Sequence, residues 1–163
     1  MHVQAHDFIA RHAATVDPTT VLEIGSLDVN GSVRPLFPDA RYHGVDVVEG
    51  PGVDEVADAA DWRTSTQFDL VISTEVLEHA ARWREVVANA WGALAPGGSL
   101  LMTCATDPRP PHSAVDGWEL RPDEWYANLA PGEVTELARS LRPASWQVEV
   151  ALDRGDLYFR IDK

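Results

Sequence analysis

Apolar residues along this chain come in two rhythms. At the start Val3, Phe8, Ile9 and Ala13 or Ala14 recur near one helical face and Asp17-Pro18 ends the run, which predicts an amphipathic helix. Beyond it, short apolar runs alternate with helical patterns. The strand candidates are "VLEIG" (21–25), "YHGVDVV" (42–48), "VDEVAD" (53–58), "FDLVIST" (68–74) and "SLLMTC" (99–104). Most are rich in β-branched residues, as strands buried on both faces are. Between them "SVRPLF" is a brief helix candidate. "RWREVVANAWGALA" is a stronger one: Trp83, Val86, Val87, Ala90, Trp91 and Leu94 repeat at three and four, and "PGG", Pro96 to Gly98, marks its end. Strand, helix and strand in turn imply parallel pairing through right-handed crossovers, hence an α/β doubly wound sheet.

After Cys104 the rhythm loosens into "ATDPRPPHSAVDGWELRPDEWYANLA", proline-rich, aromatic and too apolar for a linker. A loop of that length inside a compact domain is usually functional. The helix candidate "PGEVTELARSLR" follows, and "WQVEVALDRGDLYFRIDK" alternates around Arg154-Gly155 as a closing antiparallel hairpin would. At 163 residues and 45% hydrophobic content, the expectation is one domain, 1–163, with a sizeable core.

Charge and cysteine usage narrow the partners. With 26 acidic against 13 basic side chains the formal net charge is -13, which repels a duplex, so no nucleic acid is expected. The one cysteine, Cys104, sits in an apolar run and suits a reducing compartment. The opening segment lacks an apolar core of signal length, and no run of about 18 apolar residues occurs. A cytoplasmic protein without a membrane partner is the expectation.

Ligands of doubly wound sheets bind beyond the carboxyl ends of the strands, where the strand order reverses. There "VLEIGSLDVNG" runs into a turn in which Gly25 and Gly31 allow close backbone approach. A dinucleotide such as NAD(P) needs G-x-G-x-x-G and no negative charge beside its pyrophosphate, whereas this turn lacks the middle glycine and carries Asp28. S-adenosylmethionine brings a sulfonium, an ammonium and a ribose diol instead of phosphate, so acidic groups favour it. Asp46 closes the second strand candidate about 20 residues on, where a carboxylate can accept from ribose hydroxyls. Asp58-Ala59 ends the third, where it could read an adenine edge. Each acid also suits a cap or a turn. Four of them at consecutive strand ends, Glu23, Asp46, Asp58 and Glu75, argue for a ligand.

These stretches, with "VADAADW", "FDLVISTEVLEHA" and "LAPGGSLLMT", resemble in order and spacing the motifs of class I S-adenosylmethionine-dependent methyltransferases across Val21 to Thr103. The turn departs from the family's E-x-G-x-G-x-G in having Leu27 and Val29. The resemblance implies a Rossmann-like, mostly parallel seven-stranded sheet with helices on both faces, its last two strands the C-terminal hairpin. It places Glu23 near the cofactor's amino group and Gly25, Ser26 and Gly31 along the methionine and ribose. Asp46 would take the ribose hydroxyls, Val47 would pack on the adenine, Asp58 and Ala59 would bond its edge, and Thr74 and Glu75 would border the methionine end.

Methyl transfer from a sulfonium is an in-line displacement, and a general base is needed only for a protonated acceptor. The candidates are His79 and His112, though His79 also suits a structural histidine that caps the next helix or bonds a backbone carbonyl, and His112 an exposed loop. Glu75, Glu78 and His79 form E-x-x-E-H, and with His112 they resemble the metal site of small-RNA 2'-O-methyltransferases. The same "EVLEH" is common in methyltransferases without metal and the acidic charge fits RNA badly, so no metal ligand is expected. Trp118, Trp125 and Tyr126, with Pro110 and Pro111, could wall a small-molecule acceptor pocket or simply tie the loop down. A lid from a second subunit, making a homodimer, is a further expectation. The alternative to an enzyme is a non-catalytic binding or assembly module that keeps the nucleotide pocket.

Overall fold

The computed structural model describes residues 2–163. The first predicted helix is α1, Val3–Val16, which buries Ala5, Phe8 and Ile9 and stops where Asp17 turns left-handed at φ 43°. Seven strands follow, β1 (Thr20–Ile24), β2 (Arg41–Asp46), β3 (Glu55–Val56), β4 (Phe68–Thr74), β5 (Leu94–Ala105), β6 (Ser145–Ala151) and β7 (Asp156–Asp162), in one sheet of order β3-β2-β1-β4-β5-β7-β6. β1 to β5 pair parallel, and β7 runs antiparallel to both its neighbours. The hairpin expected around Arg154-Gly155 thus supplies the last two strands. Between β4 and β5 runs α2 (Trp83–Ala93), and between β5 and β6 runs α3 (Pro131–Ser140).

Successive residues of a strand face opposite sides. Leu70, Ile72 and Leu101 therefore join Phe8 and Ile9 of α1 in one core. Val71, Leu100, Met102 and Cys104 join Val86, Val87 and Ala90 of α2 and Val134 and Ala138 of α3 in the other. Helices on both faces make the sheet doubly wound, and its order reverses between β1 and β4. None of the helices among the described residues is long and apolar enough to cross a membrane.

Four predicted elements change. "SVRPLF" yields only a 3-10 turn over Arg34–Leu36: Pro35 is tolerated in its first turn, but Pro38 follows too soon for a second. β2 stops at Asp46 because its Oδ1 accepts the Val48 N–H at 3.0 Å, a side-chain turn that sends Val47 and Val48 into solvent. The third strand shrinks from 53–58 to Glu55–Val56 as the Gly50–Gly52 turn takes the N–H of Val53. "APGG" is not a terminator outside the sheet: Phe68 pairs Leu94 and Leu70 pairs Ser99, so the segment bulges within β5.

Candidate active site

The chain leaves β1 through Gly25, whose N–H, with that of Ser26, bonds to the Val45 carbonyl of β2 at 2.8 and 3.2 Å. Only glycine fits there: φ is +77°, and a Cβ would stand 2.1 Å from Cγ2 of Val76. Asp46 backs the turn, its Oδ2 accepting the Leu27 N–H at 3.1 Å. Further on, Asp28 Oδ1 accepts from Gly31 at 2.7 Å and sets the turn's far end. Within it the buried Ser26 hydroxyl has no partner among the described residues. Beside the turn, where a full helix is replaced by the 3-10 turn, a cleft of about 450 Å³ opens between Asp28, Ser32, Arg34, Phe37, Tyr42 and Gly52.

Glu23 lies one residue before the end of β1 and is buried. The Tyr42 hydroxyl donates to its Oε2 at 2.8 Å. Burial pushes the carboxyl up to about 7, against the Tyr42 hydrogen bond and the charge of Arg34 and with the charges of Asp28 and Asp46. Burial also pushes the Tyr42 phenol up, so it stays a donor.

With β3 cut short, Asp58 and Ala59 lie in the turn after it rather than at its end. Asp58 Oδ1 accepts the Ala60 N–H at 2.8 Å, and its carbonyl takes those of Asp61 and Trp62. Asn89 of α2 holds the carbonyls of Ala59 and Ala60, both at 2.8 Å, which fixes this turn to the helix layer. Val47 is exposed beside Asp46 and offers a flat apolar surface.

β4 ends at buried Thr74, and Glu75 turns the chain at φ 57° with its N–H on the Thr103 carbonyl at 2.9 Å. The Glu75 carboxylate accepts from the Thr103 hydroxyl at 2.8 Å and Arg109 at 3.3 Å, and His2 Nε2 stands at 3.1 Å. Arg109 also pairs with buried Asp156, which the Tyr158 hydroxyl bonds at 2.6 Å. Burial alone would push the Glu75 carboxyl up; His2, Thr103 and Arg109 outweigh it and hold it below its ordinary value. Arg109, Asp156 and His2 carry no motif, so the sequence reading missed them.

The following 3-10 turn, Leu77–His79, turns Glu78 fully inward and His79 toward the long loop. His79, His112 and Tyr126 meet edge to face, with ring centroids 5.0 to 5.4 Å apart. His112 is therefore not a stray loop residue, and His79 caps no helix, since α2 has no side-chain cap, but bonds the backbone at Trp125 instead. Burial, then the charge of His112, pushes the His79 imidazole down to about 4. Burial and the charge of Glu75 push the Glu78 carboxyl well above its usual range. The four-ligand set suggested by E-x-x-E-H does not assemble, because Glu75 is spent on His2, Thr103 and Arg109. One carboxylate and two imidazoles remain together: ligand atoms of Glu78, His79 and His112 lie within 4.8 Å of one another.

The loop over this group is stitched down rather than loose. Ala127 N–H bonds the Glu78 carbonyl at 2.8 Å, Leu129 N–H bonds that of Ala105 at 3.0 Å, and the Tyr126 hydroxyl bonds Asn128 at 2.8 Å. Of the three aromatics expected to wall a pocket, Tyr126 faces the histidines, while Trp118 and Trp125 are 79% and 52% exposed. The segment Ser113 to Glu124, which carries Trp118 and ends just before Trp125, closes on itself through Ser113–Glu124 and Asp116–Arg121 contacts and leaves both rings outside.

Residues 31–102 match a family model described as a methyltransferase domain. No sequence among curated proteins matches. Solved structures share the fold. DhpI, in complex with S-adenosylhomocysteine, is 22% identical, with 97% of this chain and 83% of that one covered and a TM-score of 0.68. The N-methyltransferase NodS from Bradyrhizobium japonicum, also bound to S-adenosylhomocysteine, is 20% identical over 98% of this chain and 85% of its own, TM-score 0.68. The 1,6-didemethyltoxoflavin-N1-methyltransferase from Burkholderia thailandensis is 19% identical over 99% and 77%, TM-score 0.69.

Proposed function

We propose that this chain is a class I S-adenosylmethionine-dependent methyltransferase that moves a methyl group to an oxygen, nitrogen or carbon of a small-molecule acceptor. The observation that carries the reading is the Gly25–Ser26 turn at the point where the sheet order reverses, backed by Asp46 and holding an unpartnered hydroxyl. Such a turn takes a ligand's backbone-sized groups against main chain, and the acid behind it takes a diol. The neighbours bound to S-adenosylhomocysteine, and the Burkholderia enzyme with its bound 1,6-didemethyltoxoflavin, support the cofactor and the class of acceptor.

The residues present fit the cofactor. Gly25, Ser26 and Gly31 would line its methionine and ribose, and Asp46 would exchange backbone N–H donors for ribose hydroxyls. Val47 would pack on the adenine, with Asp58 and Ala59 at the edge. Glu23 would face the ammonium, and Thr74 and Glu75 would border the methionine end. When bound, S-adenosylmethionine supplies a methyl carbon made electrophilic by the sulfonium. The chain's own part is alignment and the exclusion of water. Tyr126 and the stitched loop shield the acceptor side, and His79 and His112 are the imidazoles there to take a proton from a hydroxyl or ammonium acceptor.

We read residues 1–163 as one domain acting in the cytoplasm, in keeping with the buried, reduced Cys104. A second copy of the chain is the cover proposed for exposed Trp118, and sedimentation would show the dimer. The net charge of -13 argues against nucleic acid as acceptor. Titration calorimetry with S-adenosylhomocysteine tests the assignment. Binding that Asp46→Ala weakens by about tenfold or more, the worth of a charged hydrogen bond, is the expected result. No heat at millimolar ligand would end the proposal.

A further inference from the structure

Glu78 poses the sharpest question in the molecule. Its side chain is 0% exposed, and neither carboxylate oxygen has a hydrogen-bond partner among the described residues. Backbone N–H groups of Glu78 itself and Ala105 face it without reaching bonding geometry. An uncompensated buried carboxyl is costly, and a native fold keeps one where something else satisfies it. Beside it, His79 Nδ1 is also buried and unpartnered among the described residues, and His112 completes a group whose ligand atoms lie within 4.8 Å. Unmet acceptors on Glu78 and His79, with the His112 imidazole facing the same small volume, match a cation, since water would leave a carboxylate and two imidazoles competing for two protons.

We propose that Glu78, His79 and His112 bind one divalent transition-metal ion. Two imidazoles and one carboxylate suit zinc, manganese or iron(II) rather than magnesium, which prefers an all-oxygen shell. Metal–ligand bonds of about 2.0–2.2 Å require the ligand atoms to draw together. His112 supplies that movement by side-chain rotation, its half-buried ring leaving the Pro110 carbonyl that its Nδ1 now meets at 3.1 Å while the loop backbone stays stitched. Three protein ligands leave coordination positions for water or an acceptor oxygen, and with the ion bound His79 and His112 serve as ligands and not as the proton acceptors they are in the metal-free chain. Tyr126, packed on both imidazoles, orients the rings. Glu75 stays outside the shell, held by His2, Thr103 and Arg109.

The site stands apart from cofactor binding and is tested without it. The full chain, stripped with chelator, is titrated with zinc and with manganese chloride by calorimetry, and its thermal unfolding is followed in parallel. Expected are one ion per chain and, at a hundredfold excess over Kd, a midpoint raised by about 5 °C or more. Affinity should fall at least tenfold in Glu78→Gln and in His112→Ala, while His43→Ala, on β2 at the other side of the sheet order, binds as the parent does. Should Glu78→Gln fail to fold, His112→Ala alone decides, because its ring is on the loop. Absence of saturable binding by both ions, or stoichiometric binding that His112→Ala leaves intact, overturns the proposal.

Discussion

Replacing Glu23 with Gln removes an ionisation that the fold resists. Glu23 is 4% exposed, and burial pushes its carboxyl from 4.5 up to about 7. A carboxyl with a raised folded value holds its proton more tightly in the native state. Its contribution to stability is whole below pH 4.5, declines as pH rises toward 7, and is level above. The loss across that window is about 3 kcal/mol. Gln keeps an acceptor oxygen for the Tyr42 hydroxyl and has no proton to lose. The variant should therefore match the parent near pH 4.5 and exceed it by about 3 kcal/mol at pH 8, or about 6–12 °C in Tm for a chain of this size. Urea unfolding followed by far-ultraviolet circular dichroism at pH 5 and pH 8 measures the gap. A gap that does not change between the two, or a variant less stable at pH 8, would refute a neutral, buried Glu23.

Further outcomes follow from the same contacts. Because a ligand ammonium beside Glu23 favours the ionised form, S-adenosylhomocysteine binding at pH 6 should release about one proton, read from calorimetry in buffers of different ionisation enthalpy. Gly25→Ala, forced to φ +77° and against Val76, should lower stability by about 1–3 kcal/mol and abolish cofactor binding, seen by unfolding and titration together. Lys163 Nζ donates to the Trp91 and Leu94 carbonyls at 2.9 and 2.7 Å, at the end of α2, so Lys163→Ala should cost about 1–2 kcal/mol in urea unfolding. Cys104 is fully buried and its thiol is pushed well up by that burial, so an aromatic disulfide reagent should label it only as the protein unfolds.

Much of the architecture was legible because its signals are local. The 3.6-residue spacing of Phe8 and Ile9, or of Val86, Val87 and Ala90, and the apolar runs at 21–24 and 68–74 each identify an element without reference to the rest of the chain. The same holds for Gly25 and Asp46, which stand where a βα turn and a strand end put them. Boundaries fared worse where one hydrogen bond decides them, as when the Asp46 side chain stops β2 before Val47.

The sequence by itself determined the alternation of strands and helices, the closing hairpin and the acids along the turn, because periodicity and turn chemistry act over a few residues. Only the tertiary structure decided what those acids do. His2 meets Glu75 across 73 positions, and Arg109 reaches Asp156 across 47. Such pairings depend on how the sheet brings distant ends together and leave no local pattern. That is why Glu75 was grouped with Glu78 and the histidines in the chain, while the fold draws it away and leaves Glu78 buried against His79 and His112.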